Sequence, residues 1–168
     1  FPPMCAPDPQ LSPDAVAANA LDLARLRTLL PAQIAELVEV VDSIDSTNTE
    51  LARRAADDPT VPDFSVLTAE EQTAGLARLD RRWSSPKYSS LSTSFLLRPS
   101  VADFSWIVLL LAEAAVHTAQ QYGVPAAIKW PNDVVAVDKA RKTVKLAGIL
   151  AQLVNPADGA APVLVVGI

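Results

Sequence analysis

The second half of the chain contains four short apolar segments bounded by polar turns. They cover about residues 126–130, 133–138, 145–154 and 162–168. Short runs rich in Val, Ile and Leu are typical of β-strands, and the polar stretch DKARKTV indicates a hairpin connection between the second and third. Further strands are predicted at 36–44, 63–71 and 91–99. We therefore predict an α+β domain with a mainly antiparallel or mixed sheet and helices packed on it.

Three segments predict helices. Residues 12–31 open on Ser-Pro-Asp, an N-cap followed by a proline suited to the first helical position, and end at a proline. Residues 46–58 place Thr47 and Glu50 at the spacing of a capping box.

The third helix, residues 102–123, is apolar on most faces and ends at Gly123. This pattern is typical of a helix buried against a sheet. His117 lies among its apolar residues, so we interpret this histidine as structural.

Composition narrows the class of protein. The chain has 168 residues, half of them apolar, and a net charge of −5, which fits one globular domain and no general affinity for nucleic acid. Cys5, the single cysteine, excludes a disulfide framework and fits a reducing compartment. No apolar run reaches the roughly 18 residues of a membrane span. We expect a soluble cytoplasmic protein that makes no membrane contact.

Residues 72–90 have no apolar periodicity and are rich in Arg, Ser, Gly and Pro. We predict a long loop without secondary structure, and such loops are often functional. Both ends of the chain look cut, since it starts at Phe1 and stops within an apolar run, so we expect it to be part of a longer protein. A winged DNA-binding module would need tens more residues before position 36, and none is predicted.

Four segments place polar residues at predicted strand ends, and each has an ordinary explanation. DSTNTE is a helix N-cap, and AEEQTAGLARLDRRW is a solvated loop. KWPND is good turn chemistry. KLAGIL is a buried strand whose Lys145 extends to water.

In this order, however, the four segments resemble the catalytic domain of biotin protein ligases, of the monofunctional type. That family has S-T-N at a strand–helix junction, a loop written G-R-G-R-x-G-R-x-W, then K-W-P-N-D, K-L-A-G-I-L and V-G-I-G-x-N. The matching residues are Ser46 to Asn48, Gln72, Ala74, Gly75, Arg78, Arg81, Trp83, Lys129 to Asp133, Lys145 to Leu150 and Val166 to Ile168.

The resemblance implies a fold like that of class II synthetases. It also implies an activity in which biotin and ATP, with Mg²⁺, form biotinyl-5′-AMP. The biotinyl group then passes to a lysine of the biotin carboxyl carrier domain of an acyl-CoA carboxylase. Residues 1–35 would form an N-terminal arm and helix, and 36–168 the catalytic domain, without the small β-barrel that usually follows. We expect a monomer or weak homodimer.

The resemblance also implies residue roles. Biotin would be bound by Ser46, Thr47, Asn48, Gln72, Gly75, Arg78, Lys145 and Gly148. ATP would be bound by Arg81, Trp83, Lys129, Asn132 and Asp133. Lys145, Arg78, Arg81 and Asp133 would be catalytic, with Asp133 orienting either a magnesium ion or Lys145.

The loop departs from the family pattern at three positions. Leu76 stands where the family has arginine, and Ala77 and Asp80 stand where it has glycines. We expect weaker binding of an anionic ligand, and strain at Ala77 if that position requires a positive φ. A slow enzyme is favoured. A non-catalytic biotin-binding variant and a lipoate or octanoyl transferase of the same fold are the alternatives.

Overall fold

The structure is a computed structural model that describes residues 19–79, 81–99, 104–138, 140–157 and 159–168. Cys5, Asp80 and the predicted start of the first helix lie outside these ranges. The prediction of one helix over 12–31 is wrong in its described part, because residues 19–22 are not helical and the Asp22 side chain caps a helix that begins at Leu23. The helices are α1 Leu23–Leu29, α2 Ala32–Ala35, α3 Thr47–Asp57 and α4 Ser105–Gln121. The strands are β1 Val38–Val41, β2 Val66–Ala69, β3 Gly75–Leu76, β4 Arg82–Trp83, β5 Ser92–Leu97, β6 Ala126–Lys129, β7 Asp133–Val137, β8 Thr143–Gly148, β9 Leu150–Val154 and β10 Val163–Gly167.

The strands form three sheets. The largest has the order β1-β2-β5-β10-β9, in which only β1 and β2 pair in parallel. A second sheet has the antiparallel order β6-β7-β8, and β3 and β4 form a short antiparallel ribbon. The predicted α+β class with mixed and antiparallel pairing is confirmed, although the strands are divided among three sheets and not one.

Both faces of strand β10 are buried. Val163 and Val165 pack with Leu51 and Ala55 of α3 on one face. On the other face Val166 joins the cluster formed by α4, β6 and β7. Side chains alternate across a strand, so a continuous run of valines and leucine here serves two apolar cores.

The predicted strand 145–154 is wrong in one respect, because it is two strands in different sheets. The chain leaves β8 at Gly148 and enters β9 at Leu150, with Ile149 alone between them. The Ile149 amide donates to the Asn132 carbonyl, and the Asn132 side-chain amide donates to the Ile149 carbonyl. This reciprocal pair stabilises the change from one sheet to the other. No residue in KLAGIL indicates from the sequence that the strand is interrupted there.

Other boundaries also differ from expectation. The cap of α3 is Ser46, whose hydroxyl accepts a bond from the Thr49 amide at 3.3 Å, so the predicted box of Thr47 and Glu50 is wrong. The long loop contains the β3–β4 ribbon. Gly123 follows α4 with φ 76°, as its role as a helix stop predicts. His117 is exposed and contacts Gln121, so the prediction of an apolar setting for it is wrong.

Among the described residues, no helix is long and apolar enough to cross a membrane.

Candidate active site

A cavity of about 610 Å³ lies between the two larger sheets and is bordered by the ribbon. It brings together all of the predicted site residues except Gly75, which is buried beside it. The predicted residues that line it are Ser46, Thr47, Asn48, Gln72, Arg78, Arg81, Trp83, Lys129, Asn132, Asp133, Lys145 and Gly148. A separate cavity of about 490 Å³ beside β1 contains none of them.

The start of α3 forms the neutral polar end of the cavity. The Thr47 amide and hydroxyl both donate to the Gln72 side-chain carbonyl, at 2.8 and 3.0 Å. An isolated parallel bridge between Ile44 and Gln72 holds these two segments together. Because the Gln72 carbonyl is occupied, its side-chain N–H groups are directed elsewhere and can donate to a ligand.

Ser94 extends this polar network and is not among the residues predicted from the sequence. Its hydroxyl oxygen, fully buried on β5, lies 2.8 Å from the Thr47 hydroxyl and 2.6 Å from Asn48 Oδ1. The Asn48 side-chain amide in turn donates to the Leu150 backbone carbonyl at 3.0 Å. Three successive hydroxyl residues, Ser92 to Ser94, in an otherwise apolar strand were the available signal.

The opposite end of the cavity carries a lysine and a carboxylate. Lys145 Nζ lies 2.6 Å from Asp133 Oδ1, and both side chains are about one quarter exposed. The ammonium group also lies 5.5 Å from the Trp83 ring centroid, within the range of a cation–π contact. A Cβ at Gly148 would lie 2.8 Å from Lys145 Nζ, so glycine there leaves room for the lysine side chain.

The KWPND turn joins the ribbon to this end. Arg78 donates to the Asn132 side-chain carbonyl at 2.9 Å, while Asn132 also holds Ile149. Lys129 is the register partner of Asp133 at the start of the hairpin. The Arg81 Nε donates to the Arg78 carbonyl at 3.2 Å, which folds the ribbon turn on itself.

The ribbon depends on one close approach and one unusual backbone conformation. A Cβ at Gly75 would lie 2.7 Å from the Trp83 carbonyl oxygen, so β3 and β4 can pair only with glycine there. Ala77 has no positive φ, so the condition under which strain was expected there is not met. Among the described residues of the turn, Leu79 has a left-handed conformation, with φ 60°.

Positively charged side chains outnumber negatively charged ones in the cavity lining. It contains the cations Arg78, Arg81, Arg82, Lys129 and Lys145 and a single carboxylate, Asp133, among the described residues. Guanidinium and ammonium groups are suited to phosphate and carboxylate, whereas the hydroxyl and amide groups at the α3 end are suited to a neutral polar ring. The cavity can therefore hold one ligand that is neutral at one end and anionic at the other, or two ligands side by side.

Fold and cavity together define an α+β domain with a cation-rich cavity between two sheets. A family model described as the biotin/lipoate A/B protein ligase family matches residues 40–168. The chain belongs to this family.

Curated relatives agree. The biotin–[acetyl-CoA-carboxylase] ligase of Mycobacterium tuberculosis is 36% identical over 126 residues, covering 71% of this chain and 45% of that protein. The biotin–protein ligase of Schizosaccharomyces pombe is 37% identical over 124 residues, covering 64% of this chain and 17% of that protein. The chain thus spans less than half the length of these two relatives.

Solved structures share the fold. One is the biotin acetyl coenzyme A carboxylase synthetase of Helicobacter pylori with bound biotinylated ATP, with a TM-score of 0.60, 22% identity, and coverage of 78% of this chain and 59% of that chain. Another is the biotin protein ligase of Leishmania major in complex with biotinyl-5-AMP, with a TM-score of 0.54, 21% identity, and coverage of 78% and 56%.

Proposed function

We propose that this chain activates biotin with ATP to give biotinyl-5′-AMP and pyrophosphate, and passes the biotinyl group to a lysine of a carboxylase carrier domain. The observation that carries the proposal is the polarity of the cavity. Neutral hydrogen-bond donors and acceptors lie at the α3 end of the cavity, and Lys145 and the arginines lie at the opposite end. Biotin has the same division, since its ureido ring is neutral and its carboxylate is charged.

In this arrangement Thr47 and Gln72 meet the ureido group. Thr47 holds the Gln72 carbonyl, so the Gln72 N–H groups face the ureido oxygen. Lys145 lies where the biotin carboxylate oxygen attacks the α-phosphorus of ATP, and it offsets the negative charge that develops there. Asp133 fixes the lysine position and Trp83 supplies an apolar wall.

Magnesium is proposed to accompany ATP. No group of three potential metal-ligating side chains occurs in the part of the chain that the structure describes. Mg²⁺ usually takes one or two carboxylates together with substrate phosphates. The lining fits that pattern through Asp133, and the ion would supply charge neutralisation of the phosphates. We also propose a cytoplasmic location, because the reaction consumes ATP.

The test is pyrophosphate release by the full chain with ATP and biotin. We expect release that depends on biotin and is absent with lipoate or octanoate. Transfer of labelled biotin to a purified carrier domain tests the second step. Release with lipoate or octanoate and none with biotin would contradict the proposal, and no release with any of the acids would favour a non-catalytic biotin-binding role.

A further inference from the structure

Arg82 was not among the predicted site residues, yet it lines the cavity together with Leu76. The two residues are register partners across the β3–β4 ribbon. Directly opposed residues of an antiparallel pair point to the same face, with their Cβ atoms about 4.5–5.5 Å apart. An arginine side chain at position 82 therefore covers much of the space that an arginine at 76 would cover.

The opposite face of the ribbon belongs to the other register pair, Gly75 and Trp83. Trp83 is the residue whose ring lies beside Lys145. Because neighbouring side chains alternate between the faces of a strand, the Arg82 side chain leaves the ribbon on the face opposite Trp83, although both residues line the cavity. A triphosphate whose α-phosphate lies near Lys145 has to extend its remaining phosphates away from that point.

Arg82 also differs from its neighbours in its hydrogen bonds. Arg78 donates to Asn132, and Arg81 donates to the Arg78 carbonyl. Within the described ranges the Arg82 side chain makes no hydrogen bond or ion pair, and it is exposed. Binding an anion there breaks no hydrogen bond or ion pair to another described residue, and a guanidinium can contact two phosphate oxygens at once.

We propose that Arg82, on β4, binds the β- and γ-phosphates of ATP. Its register partner on β3, Leu76, has no charge and cannot make this contact. The assignment rests on the proposed function. In that reaction a bond forms between the biotin carboxylate oxygen and the α-phosphorus. The bond from the α-phosphorus to the bridging oxygen of the β-phosphate breaks, and pyrophosphate leaves with the electron pair. Arg82 stabilises the charge on this leaving group.

Calorimetry on the full chain with α,β-methylene-ATP and with AMP tests the assignment without catalysis. Arg82→Leu should weaken binding of α,β-methylene-ATP about tenfold or more, because one charge-assisted contact is lost. Binding of AMP and of biotin should change less than about twofold, since neither carries the outer phosphates. The double variant Leu76→Arg/Arg82→Leu, which moves the guanidinium to the other strand of the same face, should recover most of the loss.

Arg53→Leu is the matched control, because Arg53 is an exposed arginine of α3 paired with Glu50 and Asp57 outside the cavity. It should leave all three affinities unchanged. Unchanged binding of α,β-methylene-ATP by Arg82→Leu would overturn the assignment, and so would an equal loss for AMP. Failure of the double variant to recover binding would overturn the part of the proposal in which Arg82 takes the place of a cation at position 76. The wild-type pyrophosphate assay decides the proposed function separately.

Discussion

Lys145 and Asp133 lie on neighbouring strands but are not register partners. Asp133 is opposite Gly148, and Lys145 is opposite Val135, with an irregularity between Val134 and Val135. The lysine therefore reaches along the strand to place its Nζ 2.6 Å from the carboxylate. Glycine at 148 and the ring of Trp83 border the path, so the ammonium group has one well-defined position in the cavity.

Lys145→Ala should abolish adenylate formation while the fold remains intact. The variant removes the cation at the reacting carboxylate and phosphate, and loss of one such group lowers kcat by about 10²–10³-fold. Lys142→Ala removes an exposed lysine of the same hairpin and should have no effect. Pyrophosphate release measures activity, and circular dichroism measures folding. A wild-type rate in Lys145→Ala would remove this residue from the reaction.

Ser94→Ala should weaken biotin binding and lower stability. The change removes the hydroxyl that contacts Thr47 and Asn48, and a buried polar group left without its partner costs about 1–3 kcal/mol. Thr93→Val is the matched control, because Thr93 is next to Ser94 on β5 but does not line the cavity, and its hydroxyl pairs with that of Thr68 on β2. Both variants should unfold at lower urea concentration, and only Ser94→Ala should lose biotin affinity by calorimetry. Equal affinity in the two would make Ser94 purely structural.

Ligand binding should slow amide exchange in the ribbon. A two-stranded ribbon is marginal alone, so its opening free energy in the absence of ligand should be low. Biotin and ATP together should protect the Ala77 amide, which donates to the Arg81 carbonyl. Amides of β10 should exchange slowly in both states and provide the reference. Ribbon exchange as slow as that of β10 without ligand would show that the ribbon is already rigid.

Leu79→Gly should stabilise the ribbon by about 0.5–1 kcal/mol. A left-handed conformation costs a non-glycine residue about 1–2 kcal/mol, part of which is offset by the greater chain entropy of unfolded glycine. Leu79 is 83% exposed, so removal of its side chain loses little apolar burial. Ala77→Gly is the control within the same turn and should not stabilise, because Ala77 has no positive φ. Hydrogen exchange at the backbone amide of position 77 measures the effect of both substitutions.

The helix that presents Ser46 to Asn48 should lose stability in acid. Hydrogen bonds from Arg53 and then Arg54 lower the pKa of Glu50 below its usual range. A lowered folded-state pKa contributes stability above the unfolded-state pKa of about 4.3, and this contribution disappears as pH falls through the folded-state value. Glu50→Gln should therefore be less stable than wild type at pH 7, by up to about 1 kcal/mol because the group is partly screened.

Urea unfolding of both proteins at pH 7 and pH 3 measures this difference, which should shrink in acid. A difference that stays constant between the two pH values would show that Glu50 acts through its shape and not its charge.

Much of the cavity could be predicted because four segments with polar residues at the ends of predicted strands together resemble the motifs of one family. Short apolar runs located the strands, and KWPND followed by KLAGIL was the most specific part of the resemblance. Ser94 and Arg82 could not be predicted as cavity residues, because neither one lies at the end of an apolar run or belongs to a family motif. Ser94 lies in the middle of a strand, and Arg82 acquires its importance only through its register with Leu76.

The errors have similar physical causes. KLAGILAQLV is apolar throughout, so the break at Ile149 depends on a contact with Asn132, which is distant in sequence. Ser46 and Thr47 have the same capping chemistry, and the Gln72 contact takes Thr47 away from that role. Two-residue strands such as β3 and β4 are too short to show a period.

The reciprocal Asn132–Ile149 pair connects the two sheets that border the cavity and so affects the spacing of its two ends. The hydroxyl end belongs to the five-stranded sheet, to which Asn48 is tied through the Leu150 carbonyl, whereas the lysine end belongs to the three-stranded sheet. One residue of backbone separates the two, and both its amide and its carbonyl are held by the same asparagine. The spacing between Thr47 and Lys145 therefore depends on this short hydrogen-bonded connection, and we expect it to limit the length of an acid that can reach both residues.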